Sequence, residues 1–251
     1  MNEFRGDSRT IVGTRIDATT YEDATRRIVG WASGRRARMI CAANVHVVME
    51  AFDDPSFAKV LAGADLVTPD GVPLVWALKC LGVKHATRVY GPDLTLHVCE
   101  AAAAAGIPVA LYGSTPACLA DFTSFLEKRF AGIRIAAAIS PPFRELSFDE
   151  DTRHVEHILN SGARILLVGL GCPKQERWIA AHQDRLPLVM LAVGVAFDFH
   201  AGRVRQAPRW LMRLGLEWLF RLVVEPRRLW KRYVKHNPRF IWHFVKQLVR
   251  A

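Results

Sequence analysis

An α/β fold, a mainly parallel sheet covered by helices on both faces, is what the sequence predicts for residues 1–202, with a basic helical appendage over 203–251. Three observations predict it. Short apolar runs alternate with stretches of helical periodicity, the pattern of successive strand–crossover–strand units. Several of the apolar runs end in a glycine turn that opens at once into a helix start, as at Gly113-Ser114-Thr115-Pro116. The positive surplus sits entirely at the C-terminal end. Residues 203–251 carry 13 basic residues against Glu217 and Glu225, a local charge of +11, while the whole chain carries +10, which leaves residues 1–202 at −1.

The elements follow in order. Strands are expected at 38–43, 65–68, 108–112, 133–139, 163–169 and 188–193, each a short apolar run bounded by turn residues. Helices are expected at 21–32, 45–62, 72–81, 93–105, 116–130, 149–160 and 173–183. Thr115-Pro116 is a cap followed by proline at the first helical position, and Pro173 plays the same part. Gly106 and Gly162 stand where helices stop. The appendage reads as three helices: 208–224, one started by Pro226, and one after a break at Asn237-Pro238. Leu229, Trp230, Tyr233 and Val234 make an apolar stripe on the second, and Phe240, Ile241, Phe244, Val245, Leu248 and Val249 on the third.

Composition narrows the class. With 51% hydrophobic and 23% charged residues the chain is globular, not disordered. No run reaches the roughly 18–20 apolar residues of a spanning helix; the longest, 186–197, is broken by Gly194 and ends at Asp198. The first ten residues lack the apolar segment of a secretory signal. The five cysteines form no C-x-x-C pair and read as small buried hydrophobes in a reducing compartment. We therefore expect a cytosolic body with peripheral membrane contact. A cationic tail rich in tryptophan, tyrosine and phenylalanine suits an anionic, partly apolar surface, each basic residue contributing about 1 kcal/mol beside an anionic leaflet. The same apolar stripes also suit packing onto the body as core.

Four strand ends carry candidate chemistry, because open α/β sheets bind ligands beyond the carboxyl ends of their strands. Gly113 and Ser114 precede a helix N-terminus whose free N–H groups suit a phosphate, or simply form a tight connection. Gly169 and Gly171 lead into Lys174, Gln175 and Glu176. The third glycine of G-x-G-x-x-G would fall at Lys174, so this is no dinucleotide fingerprint, and no G-K-[ST] follows. Lys174 suits a phosphate and Gln175 a sugar or base; an ordinary first helical turn is the plain alternative. Asp70, in Thr68-Pro69-Asp70-Gly71, is either a turn residue or a general base contributing about 10²–10⁴-fold in rate. Asp198 and His200 follow Gly194, Asp198 as a ligand contact or a cap and His200 as a satisfied buried imidazole. No H-E-x-x-H, G-x-S-x-G or metal-spaced cluster occurs, so no catalytic metal is expected.

Taken in order, the motifs closely resemble those of the WecG/TagA/CpsF family of bacterial glycosyltransferases. They are Ala43-Asn44, ADLVTPDGVPLVWAL at 64–78, RVYGPDL at 88–94, LYGS at 111–114, VGLGCPKQE at 168–176, GVAFDFHAG at 194–202 and LEWLFRL at 216–222. The resemblance implies an inverting hexosyl- or N-acetylhexosaminyl-type transferase that needs no metal or other cofactor. It implies transfer from a UDP-sugar to a polyprenyl-diphosphate-linked saccharide, in cell-surface polysaccharide synthesis on the inner face of the bacterial cytoplasmic membrane. It places Asp70 as the base and Gln175 as a substrate contact. Asn44, Gly71, Arg88, Gly113, Ser114, Gly169, Gly171, Lys174 and Asp198 fall on motif positions and are taken as donor or acceptor contacts. The tail, through Arg221, Arg228 and Arg232, is expected to complete the site and dock on the membrane. Teichoic-acid members carry threonine two residues before the asparagine; here Ala42 stands there, so that hydroxyl is absent.

Two rivals make different use of the tail. In one it binds nucleic acid, although its aromatics fall on helical stripes and not along a stacking groove. In the other it is ordinary core of a nucleotide-sugar enzyme with a soluble substrate.

Overall fold

The computed structural model describes residues 7–250. The N-terminal stretch without a secretory signal begins outside the described residues, and Ala251, the end of the basic tail, lies outside them too. The described chain opens with an antiparallel hairpin that periodicity did not reveal, β1 (Ser8–Ile11) and β2 (Thr14–Asp17). Its strands are short and largely polar. The turn places both Val12 and Gly13 at positive φ, the conformation that matches the twist of a tight hairpin.

The body alternates as expected: α1 (Tyr21–Ala32), β3 (Arg38–Ala43), α2 (Val45–Asp53), α3 (Pro55–Ala62), β4 (Leu66–Pro69), α4 (Val72–Cys80), α5 (Gly91–Ala104), β5 (Val109–Gly113), α6 (Pro116–Arg129), β6 (Ile135–Ile139), α7 (Phe148–Asn160), β7 (Ile165–Gly169), α8 (Lys174–His182), β8 (Val189–Ala192) and α9 (Ala196–His200). The single helix expected over 45–62 is two. Asp54 ends the first and caps the second, its Oδ1 accepting from the N–H groups of Ser56 and Phe57 ahead of Pro55.

Strands β3 to β8 form one parallel sheet in the order β4-β3-β8-β7-β5-β6. Alternate side chains feed two cores, as a period of two requires. Met39, Cys41, Tyr112, Val168 and Met190 face α2, α3, α4, α7 and α8. Ile40, Leu111, Leu167 and Leu191 face α1, α5, α6 and α9.

The tail corrects the expectation most. The segment 208–224 is two short helices, α10 (Arg209–Arg213) and α11 (Glu217–Val224), separated at Gly215 with φ +73. Asn237-Pro238 does not break the chain: α12 (Pro226–Arg250) runs through it as one helix of 25 residues. An interior proline costs an isolated helix about 3 kcal/mol. Tertiary contacts on both sides of it offset that cost. Phe240 is buried in the core beside α2, Arg239 forks onto Asp53 at 2.5 and 2.9 Å, and His236 Nε2 lies 3.2 Å from Glu50. Farther along, Gln247 accepts from the Val12 N–H and donates to the Thr10 carbonyl, tying α12 to the hairpin. The opposite side of α12 leaves Trp230, Val234, Ile241, Trp242, Val245 and Val249 exposed. Among the described residues no helix is long and apolar enough to cross a membrane.

Candidate active site

The carboxyl ends of β3, β4, β5, β7 and β8 meet around a cleft of about 370 Å³, roofed by the tail. Asn44, Asp70, Gly91, Ser114, Gly169, Gly171, Gln175, Gly194 and Asp198 line it from the body, and Arg221, Arg228 and Arg232 from the tail. The ends of β5 and β7 pass so closely that a Cβ on Gly113 (φ +130) would lie 2.4 Å from the Gly169 carbonyl oxygen. Only glycine permits that approach, and the next N–H, of Ser114, donates to the same carbonyl.

Asp70 leaves β4 with its backbone N–H donating to the Ala43 carbonyl at 2.8 Å. Its side chain is buried. Oδ1 accepts the Gly91 N–H at 2.7 Å, and Oδ2 accepts Asn44 Nδ2 at 3.3 Å. The Asn44 oxygen caps α2, accepting from His46 and Val47, so the asparagine is fixed from both ends. Burial pushes the Asp70 carboxyl above its usual range; the Arg88 guanidinium pulls it down, and the Glu217 carboxylate pushes it up. Arg88 stands behind the carboxylate. It donates to the Asp70 carbonyl and pairs with Glu217 of α11 at 2.6 Å, joining Asp70, body and tail in one network.

Gln175 is buried and occupied by the loops. Its oxygen accepts the N–H groups of Gly171 and Gly194, and its nitrogen donates to Glu176. It therefore sets the spacing of two glycine turns on the cleft wall. Asp198 opens to the cleft and receives the Cys118 thiol at 3.6 Å. His200 packs against Phe125, with Nε2 2.9 Å from the Pro92 carbonyl, as a satisfied imidazole.

The three arginines crowd one another. Arg228 is shared with Glu225 at 2.6 Å, whereas the Nε groups of Arg221 and Arg232 are buried with no hydrogen-bond acceptor among the described residues. Burial lowers the Arg232 pKa, and the neighbouring charges of Arg221 and Arg228 lower it further. Guanidinium stays ionised regardless, so the tail holds a cluster of cations over a cleft whose buried carboxylate is already engaged.

Some expected residues lie elsewhere. Lys174 is exposed and off the cleft wall, Gly113 sits behind Ser114, and Gly71 and Arg88 line a second cavity. Four residues went unread in the sequence: Tyr90 on the cleft wall, Glu217 as the counterion of Arg88, and the pair His46 and His236. Tyr90 belongs to the RVYGPDL run and was legible there; the other three depend on the tail's docking. His46, Glu50 and His236 bring one ligand atom each within 4.8 Å of one another, a set able to hold a metal ion. Burial lowers His46 to about 3, with Arg232 adding to the effect, so its imidazole is neutral.

Comparison with known proteins agrees with this architecture. A family model described as "Glycosyl transferase WecG/TagA/CpsF family" matches residues 9–251. An N-acetylglucosaminyldiphosphoundecaprenol N-acetyl-beta-D-mannosaminyltransferase of Bacillus spizizenii is 30% identical over 213 residues, covering 84% of this chain and 80% of the relative. The enzyme of the same name from Bacillus subtilis is 27% identical over 195 residues, covering 77% and 74%. The chain belongs to the WecG/TagA/CpsF family of glycosyl transferases.

Proposed function

We propose that this protein transfers a sugar from a UDP-sugar to a polyprenyl-diphosphate-linked saccharide, with inversion and without a metal, at the inner face of the cytoplasmic membrane. The relatives' names supply the acceptor chemistry, a diphosphoundecaprenol carrying N-acetylglucosamine. In this reading the nucleotide diphosphate lies between the glycine turns and the tail arginines. Asp70 takes the proton of the acceptor hydroxyl as its oxygen attacks the anomeric carbon. The bond from that carbon to the diphosphate breaks, and UDP leaves with the electron pair. Its developing charge meets Arg221, Arg228 and Arg232, which act where charge appears in the transition state. Asn44, Gly91 and Arg88 hold Asp70 in place.

One observation carries the reading: a buried carboxylate with a raised pKa and three crowded cations face a single cleft. We further propose that the exposed apolar stripe of α12, with Arg227, Lys231, Lys246 and Arg250 beside it, rests on the anionic leaflet carrying the acceptor. Ala42 lines the cleft, its Cβ 3.1 Å from where Gly91 would carry one, so a threonine hydroxyl there would stand next to Asp70. The test is a screen of UDP-sugars for UDP release in membranes containing lipid-linked saccharide. Release from one donor, dependent on acceptor, is expected; release from none, or release indifferent to acceptor, overturns the reading.

A further inference from the structure

The second cavity, about 620 Å³, lies between α4 and the tail. Val72, Trp76, Trp218, Phe240, Ile241 and Phe244 make its wall chiefly apolar. It is continuous with the first cleft: Asn44, His46, Asp70, Arg221 and Arg232 line both. The Asp70 carboxylate and the Arg221 and Arg232 guanidinium groups stand where the two meet, and beyond them the wall of the second cavity is chiefly hydrocarbon. Two residues of its wall, Ile241 and Trp76, are 61% and 56% exposed, so the cavity reaches the surface beside the exposed stripe of α12. A wall this apolar disfavours a second sugar or nucleotide, whose hydroxyls and charges would lose their water without replacement.

We propose that this cavity holds the first isoprene units of the acceptor lipid, those next to its diphosphate, so that the lipid is drawn from the bilayer into the protein and does more than anchor the acceptor nearby. The inference rests on the transferase reading above, whose acceptor presents a hydroxyl, a diphosphate and a hydrocarbon in that order. It assigns Trp76 and Ile241 to acceptor length and leaves donor binding to the first cleft.

The test uses the full chain in detergent solution, without a bilayer. Acceptors are saccharide-diphospho-prenols of one to four isoprene units. Native kcat/KM is expected to climb several-fold with each added unit until the cavity is filled, and then to level off. Ile241→Glu and Trp76→Asp put a charge in the hydrocarbon path without touching Asp70 or the arginines. Each is expected to lose at least ten-fold on the longest acceptor and little on the shortest, with UDP binding unchanged. A diazirine on the second isoprene unit, tested on native protein, should label α4 or α12. Transfer indifferent to chain length and to both substitutions, or labelling confined to other elements, overturns the cavity's role while leaving the transferase reading intact. No transfer to any acceptor sinks both.

Discussion

Replacing Asp70 by asparagine separates its chemical part from its structural one. The substitution keeps the shape, and the new amide oxygen still accepts the Gly91 N–H. It removes the carboxylate proposed to take the acceptor's proton. A positioned base is worth about 10²–10⁴-fold in rate, which is about 3–5 kcal/mol of transition-state stabilisation. The fold feels two opposing effects. The new amide nitrogen meets Asn44 Nδ2, and Asn44 cannot turn over because its oxygen caps α2; that mismatch costs about 1 kcal/mol. Against it, a carboxylate that burial already disfavours is gone. The thermal midpoint of Asp70→Asn is therefore expected within a few degrees of the native value. The assay is acceptor-dependent UDP release, with UDP affinity by calorimetry and thermal unfolding in parallel. Turnover down by at least 10²-fold, with UDP binding and midpoint retained, fits the base. A variant turning over within about ten-fold of native would refute the argument, since a base contributes more than that.

The remaining predictions concern the charges around that centre. Arg88 favours the ionised form of Asp70 and offsets Glu217, which disfavours it. Arg88→Gln should move the acid limb of the pH–rate profile upward, because the base is lost as pH falls through a pKa now higher still; an unmoved limb would break that link. Neutralising Arg227, Lys231, Lys246 and Arg250 to glutamine removes about 4 kcal/mol of attraction to an anionic surface, roughly 10³-fold in partition. Flotation on anionic vesicles should show the loss, and neutral vesicles should not. His46 and His236 have pKa values below the usual 6.5, each first through burial. Arg232 and Lys235 lower both further; Glu50 and Asp53 raise His236, and the Cys172 carbonyl raises His46. As pH falls below about 6.5 the unfolded chain binds protons that the folded chain refuses, so stability drops on that side and is unaffected above it. The drop in thermal midpoint between about pH 7.5 and 5.5 should shrink in the His46→Gln, His236→Gln double variant; an equal drop in both proteins would exclude the pair as its source.

The sequence alone determined the sheet and the residues at its carboxyl edge. Largely apolar runs of four to seven residues, 38–43, 65–68, 108–112 and 163–169, read as strands because burial on both faces of a parallel sheet demands continuous hydrophobicity, and the turns after them, at Asn44, Asp70, Ser114 and Gly171, are local chemistry. The split of the 45–62 helix was legible too, in Asp54-Pro55. The structure alone decided where the tail goes. Periodicity showed that α12 has an apolar stripe. The Asp53–Arg239 pair, joining residues 186 positions apart, fixes the face of α12 that packs beside Pro238, and the Arg88–Glu217 pair, 129 positions apart, docks α11. The same long-range docking divides the arginines, pairing some with body carboxylates and turning Arg221 and Arg232 onto the cleft. It also assigns Gln175 to the loops, since an amide's partners are set by which backbone N–H groups the fold brings to it. Local sequence specifies how a segment curls; what a charged side chain meets is settled by neighbours that only the folded chain supplies.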